Sequence, residues 1–251
     1  MSTSYFLAPH VHLCVAGKQV VLLDLERDKY LALARSHPIG KWVRGWPALE
    51  AVEQLAVGHD AWTPPVATVA VPAPEDQRVL GKMSALRMLV TDPTLGKVAA
   101  PPVIDEAKVA LVEPELLKRP DATWGQFWSL VRAHVAAKWS LKRRPIKEVV
   151  EAVRTRKERA SESGKTLDVS RVRTLVAAFL LLRPILYTAQ NACLLDSLTL
   201  VRFLALYGIF PDWVFGVKTE PFHAHCWVQQ GGHVFNDSPD FVGEFAPILV
   251  L

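Results

Sequence analysis

Cysteine is scarce in this 251-residue chain: Cys14, Cys193 and Cys226 are too few and too scattered to build a disulfide framework. The count is odd, and Met1-Ser2-Thr3-Ser4-Tyr5 has neither the basic stretch nor the long apolar run of a secretion signal, which together point to a reducing cytoplasm. Long apolar runs are missing as well. The most hydrophobic window, Leu175–Leu186, is broken by Arg183 and Pro184 and falls short of the roughly 20 residues that span a bilayer. No membrane span is expected, and the window reads as a buried helix. Charge of one sign is weak, at a net +4, and the basic residues gather between Lys138 and Arg159 on what reads as a solvated helix or linker. Nucleic acid is therefore not an expected partner, since that would need a basic stripe interleaved with aromatics. There is no Gly-rich phosphate loop, no Cys-x-x-Cys pair, no repeat and no low-complexity tract.

What is present is an ordinary folding composition, half apolar and 22% charged. From Val11 to Leu33 short Val- and Leu-rich runs are separated by turns at Gly17-Lys18 and Glu26–Lys29, a three-stranded antiparallel meander. Helical spacing follows over Pro38–Trp46, Leu49–Val57 and Glu75–Val90, with the prolines at 64, 65, 72 and 74 marking a loop or edge strand between the last two. Asp92-Pro93 and Pro101-Pro102 suggest a boundary, giving a first module over residues 1–92, a linker over 93–110 and a second module over 111–251. In the second module Trp124, Phe127, Leu130, Val131 and Val135 form the apolar stripe of an expected helix over Trp124–Trp139. Ile146–Arg154 reads as a helix, Thr155–Ser170 as an exposed loop, and Val172–Leu182 and Cys193–Tyr207 as helices, the last closed by Gly208. Strands are expected at Trp213–Val217, His223–Gln229 and His233–Asn236. The fold class is α+β: a small module of three strands plus helices, then an α+β module.

A thiol attacks as its thiolate, so it needs a base or a local field that lowers its pKa. Cys193 sits at the start of an expected helix, whose N-terminal partial charge favours the thiolate. His223 and His225, two apart on one strand, share a face. If Gln230-Gly231-Gly232 is a three-residue turn, Asp237 lies across from His225; a two-residue Gly-Gly turn pairs Asp237 with Cys226 instead. In the first register Cys193, His225 and Asp237 form a nucleophile, a base and an orienting carboxylate. Gln190 is a candidate oxyanion donor, and Cys226, facing away from His225, reads as core or as support behind the catalytic side chains. Asp196 and Ser197 read as serving the helix rather than chemistry. A zinc site from Cys193, His223, His225 and Cys226 is the rival reading, disfavoured because no second close ligand cluster exists; no metal is expected.

Around these residues the sequence resembles the B proteins of lasso-peptide biosynthesis, leader peptidases with a transglutaminase/papain-like cysteine-protease fold. The resemblance rests on Cys193-Leu194-Leu195-Asp196-Ser197-Leu198, Gly208, Trp213-Val214-Phe215-Gly216-Val217, Pro221 to Gln229, and Asn236-Asp237. It implies Cys193 as nucleophile, His225 as base and Asp237 as third member. Cys226 and Gln229 stand where many such proteins have Ala and Glu. The first module is similar to the PqqD-like precursor-recognition element, a winged-helix-like unit that binds leader peptides. That implies a leader peptide added as a strand beside Tyr30, Leu31, Ala32 and Leu33, in a groove completed by Met83 and Leu86 of the helix that follows. The resemblance further implies a cytoplasmic maturation protease that cuts leader from core. Its implied partners are the precursor and an ATP-using macrolactam synthetase, an asparagine-synthetase-like cyclase; no cofactor is implied in the chain itself. An amidase- or transglutaminase-type acyl transferase and a non-catalytic delivery protein are the alternatives.

Overall fold

Alternating Val and Leu at the start of the chain build the meander that the sequence predicts. The computed structural model describes residues 4–47, 72–112, 122–161, 168–188 and 192–251. The chain separates into two units, Met1–Pro102 and Val103–Leu251. In the first, β1 (Phe6–Leu7) precedes β2 (Val11–Ala16), β3 (Gln19–Asp24) and β4 (Lys29–Ala34), the last three forming an antiparallel sheet in the order β2-β3-β4. The β2–β3 turn is Gly17-Lys18, with Gly17 at φ +57, a left-handed value that a side chain would strain. Buried Asp24 closes the next turn, its carboxylate accepting from the amides of Glu26 and Arg27 and from the Arg27 guanidinium. Val11, Leu13, Val20 and Leu22 form a core with Leu80 and Met83 of α1 (Pro74–Ala85).

Several expectations change here. The helix expected to Val90 ends at Ala85, and β5 (Leu89–Val90) pairs antiparallel with β1. Only Pro38–Lys41 of the expected Pro38–Trp46 helix is helical, as one 3-10 turn. The stretch 93–110 is not a free linker. Lys97 exchanges backbone hydrogen bonds with Leu7 and the Ala99 amide donates to Arg44, while the Lys108 and Val109 amides donate to Gly232. Each half is held by its own unit because its backbone groups complete that unit's edge. The expectations for Leu49–Val57 and for most of Asp60–Pro74 lie outside the described residues.

The second unit holds β6 (Val109–Ala110), α2 (Trp124–Arg143), α3 (Ile146–Ser161), α4 (Val169–Leu186), α5 (Cys193–Ala205), β7 (Asp212–Thr219), β8 (Phe222–Gln230), β9 (His233–Val234), α6 (Pro239–Val242) and β10 (Ala246–Val250). Its sheet runs β10-β7-β8-β9-β6, with α5 against β8 and α2 against α5. The fold is thus α+β, as expected. Helix α2 begins with a capping box between Thr123 and Gln126. Its buried face is Leu130, Ala133, Ala137 and Ser140, whereas Trp124 and Val135 are exposed. The apolar stripe expected through those two residues is therefore rotated. Small residues let α2 approach α5 closely, and the bulky tryptophan is left outside that contact. Part of the loop expected over Thr155–Ser170 is helix: α3 continues to Ser161, with Lys157 bonded to Asp212 and to the Leu251 carbonyl. Among the described residues no helix is long and apolar enough to cross a membrane.

Candidate active site

Helix α5 is apolar almost throughout, so it sinks into the unit and carries its first residue, Cys193, to a fixed place. Its end is set by Gly208 at φ +76: the Gly208 amide donates to Ala205 and the Ile209 amide to Leu204, which satisfies two terminal carbonyls. At the other end Cys193 is the first residue of the helix, where the amides of the first turn have no helical acceptor and carry partial positive charge. Ser197, one turn on, donates to the Cys193 carbonyl at 2.7 Å and accepts from the buried Trp213 indole at 2.9 Å. Cys193 itself is half-buried.

The sheet supplies the histidine. In the β7–β8 register Gly216 lies opposite His225. A Cβ on Gly216 would stand 2.8 Å from the Trp227 ring and 2.9 Å from the Phe245 Cβ, so only glycine leaves room for both. Those two rings, with Phe241, wall the His225 imidazole at centroid distances of 6.1, 5.2 and 5.1 Å. His223 shares this face, as its spacing predicts, but its ring rests on Phe245.

Asp237 Oδ2 lies 2.7 Å from His225 Nε2, and its Oδ1 accepts from the Ser238 amide at 2.8 Å. The expected pair thus forms, but not through the expected turn. Gln229 pairs with Val234 and Gln230 with His233, so the hairpin has the two-residue Gly231-Gly232 turn, with Gly231 at φ +56. Continued, that register would set Asp237 opposite Cys226. The ladder instead ends after the Phe235 amide donates to Val228, and the Val228 amide donates to the Asn236 side chain at 2.9 Å. The chain bends there and carries Asp237 to His225.

Asp237 holds Nε2 of His225, which leaves Nδ1 as the ring nitrogen that can face Cys193. The Cys193 thiol is brought down to about 4. A hydrogen bond from the Cys226 thiol is the largest cause; burial opposes it, and the hydrogen bond and positive charge of His225 add to it. Burial alone would lower the His225 value, but its bonds to Asp237 and Cys193 outweigh that and push it up to about 9. Cys226 is pushed well above the usual thiol range by burial and by the Cys193 thiolate beside it, so it remains a donor. The site is therefore a thiolate–imidazolium pair between about pH 4 and pH 9. Cys226 is buried, and its thiol backs the Cys193 sulfur, the second of the two roles its position suggests.

Behind the triad lies a network that the sequence reading assigned to helix structure or did not single out. Asp196, 2% exposed, accepts from Arg183 at 3.0 Å, Tyr187 at 2.9 Å and Asn236 at 2.8 Å. Burial and the neighbouring Asp196 hold the Tyr187 hydroxyl above its ordinary range, so it stays a donor. His134 of α2 stacks on Tyr187 at 4.5 Å. One sequence signal could have found this hub: a carboxylate within the apolar run Leu194–Leu204 needs buried partners. Gln229 is satisfied, accepting from Trp227 and donating to the Asp105 and Gly231 carbonyls, which a glutamate could not do.

Gln190 lies outside the described residues. Tyr30, Leu31, Ala32 and Leu33 lie on β4, which has no further strand beside it among the described residues. Leu86 is exposed, but Met83 is 2% exposed in the core of the first unit, so the groove expected through it is not open there. The alternation of α1 turns Met83 inward with Leu80. Among the described residues no three His, Cys, Asp or Glu side chains are grouped to hold a metal ion.

Residues 131–250, within the second unit, match the transglutaminase-like superfamily. A 51-residue segment is 46% identical to the microcin J25-processing protein McjB of Escherichia coli. That segment covers 20% of this chain and 24% of the relative, so the match spans about a quarter of that protein's length. No solved structure matches.

Proposed function

We propose that the second unit is a cysteine peptidase that removes the leader from a ribosomally made precursor, with Cys193 as nucleophile, His225 as acid and base, and Asp237 orienting the imidazole. The observation that carries the reading is the half-buried Cys193 at the start of α5 together with the 2.7 Å His225–Asp237 contact, with His225 near enough to lower the Cys193 thiol. The Cys193 thiolate attacks the scissile carbonyl carbon, and the oxyanion forms beside the amides of the first helical turn, which have no acceptor within the helix. The His225 imidazolium gives its proton to the leaving amine, and a thioester remains on Cys193. Neutral His225 then takes a proton from water, whose oxygen attacks the thioester and releases the acid and the thiolate.

The substrate class is drawn from the processing protein that the 51-residue segment resembles. An extended leader peptide would add as a strand beside β4, the last strand of the meander, with main-chain hydrogen bonds providing affinity. An ATP-using macrolactam synthetase is the expected partner in cleavage. The test is a precursor cleavage assay with that cyclase present: Cys193→Ala abolishes release of the leader, and undiminished cleavage refutes the reading. The superfamily's name supports one second reading, acyl transfer to an amine in place of water; the product mass distinguishes the two.

A further inference from the structure

The β8–β9 hairpin, followed as a regular ladder, would deliver Asp237 to the strand position opposite Cys226. What prevents this is a side chain. Asn236 accepts the Val228 amide through Oδ1 at 2.9 Å and donates through Nδ2 to Asp196 at 2.8 Å. Both ends of the amide are dictated by chemistry. Val228 N–H can only donate, and the Asp196 carboxylate, already accepting from Arg183 and Tyr187, can only accept. Asn236 thus replaces the backbone carbonyl that would have continued the ladder and ties the bend to a buried residue of α5. The helix that positions Cys193 also positions the bend that carries Asp237.

We propose that Asn236, anchored by Asp196, is the positioning residue that takes Asp237 out of the β-ladder and sets it against His225 Nε2. A single rigid element then fixes both ends of the triad: Cys193 at the start of α5, and Asp237 through Asp196 one turn further along. Arg183 and Tyr187 hold the Asp196 carboxylate in turn, so Asn236 meets a fixed acceptor rather than a mobile one. The inference deepens the proposed peptidase reading, but its test needs no substrate.

The readout is the titration of the His225 imidazole in the full-length protein, followed by nitrogen-15 NMR and assigned with His225→Gln. The charged and titratable groups around this ring are Asp237 from the bend, Cys193 from α5, His223 on the same strand face, and the Lys218–Glu244 pair beyond the Phe241 and Phe245 rings. The native midpoint is expected at about 9, raised by Asp237 and Cys193 against the effect of burial. Asn236→Ala frees the bend and lowers that midpoint by about one unit or more, toward the ordinary value near 6.5. Asp237→Asn lowers it directly, and adding Asn236→Ala to Asp237→Asn moves it no further, because both changes break the same contact. Asp196→Ala leaves Asn236 bonded to Val228 and removes only its far acceptor, and it carries the same expectation. Asp196→Asn keeps an acceptor oxygen for Asn236 and holds the midpoint within about half a unit of the native value. A midpoint unmoved in whichever of Asn236→Ala and Asp196→Ala folds overturns the proposal, as does full additivity with Asp237→Asn. A merely structural role would lower the melting temperature and leave the imidazole titration in place. Loss of precursor cleavage with an unchanged titration would count against this inference and not against the peptidase reading.

Discussion

Cys226→Ala offers a direct measure of what sets the Cys193 thiolate. The Cys226 thiol supplies the largest share of the lowering that brings Cys193 to about 4, and alanine at that position has no donor. A hydrogen bond to a charged group is worth about 1.5–3 kcal/mol, or roughly one to two pH units. The Cys193 midpoint should therefore rise to about 5–6. At pH 5 the native site is about nine-tenths thiolate, whereas the variant is between one-half and one-tenth, so alkylation slows about two- to tenfold. At pH 7.5 both are fully ionised and react alike. The assay is iodoacetamide alkylation from pH 4 to pH 8, read by peptide mass spectrometry. Cys14 is a silent internal reference, because burial pushes its thiol up to about 12. Cys226→Ser keeps a donor in nearly the same volume and should stay close to the native profile. Equal rates at pH 5 for native protein and Cys226→Ala would refute the assignment. So would identical behaviour of the Ala and Ser variants, since better hydration of the site would then be the cause.

Cleavage of the leader-bearing precursor should rise as pH climbs through about 4, where Cys193 loses its proton, and fall through about 9, where His225 loses the proton that the leaving amine requires. An alkaline limb near 6.5 would show that Asp237 does not support the imidazolium. Gly216→Ala forces a methyl group to 2.8 Å from the Trp227 ring, an overpacking that costs about 1–3 kcal/mol, and it should lower the melting temperature by several degrees and slow Cys193 alkylation at pH 5. An unchanged melt would show that the rings walling His225 move aside freely.

Much of the fold was legible because local pattern and tertiary contact agreed. The meander of β2, β3 and β4 follows from alternating apolar residues and a Gly17 turn, and α5 follows from a continuous apolar run ended by Gly208. The weakest readings fell where packing partners decide. In α2 several faces carry apolar residues, so spacing alone could not say that the alanines face α5 while Trp124 stays outside. The two-residue strands β1, β5 and β6 exist through partners distant in sequence, and a pair of residues carries no periodicity.

The sequence by itself determined the chemical types: a cysteine at a helix start, two histidines on one strand face and an aspartate beyond a glycine turn whose length it left open. Those follow from local rules of helix ends and strand alternation. The sequence favoured His225 over His223 through a three-residue turn and the family resemblance, but the route that delivers Asp237 to His225 came from tertiary structure alone. The actual turn favours the other register, and a side-chain hydrogen bond from Asn236 to a buried aspartate on another helix overrides it. The same holds for Cys226. Its position in β8 turns it from the His225 face, and only the docking of α5 across the sheet brings its thiol to Cys193. Local periodicity specifies which face a residue takes, whereas contact between elements specifies which groups meet.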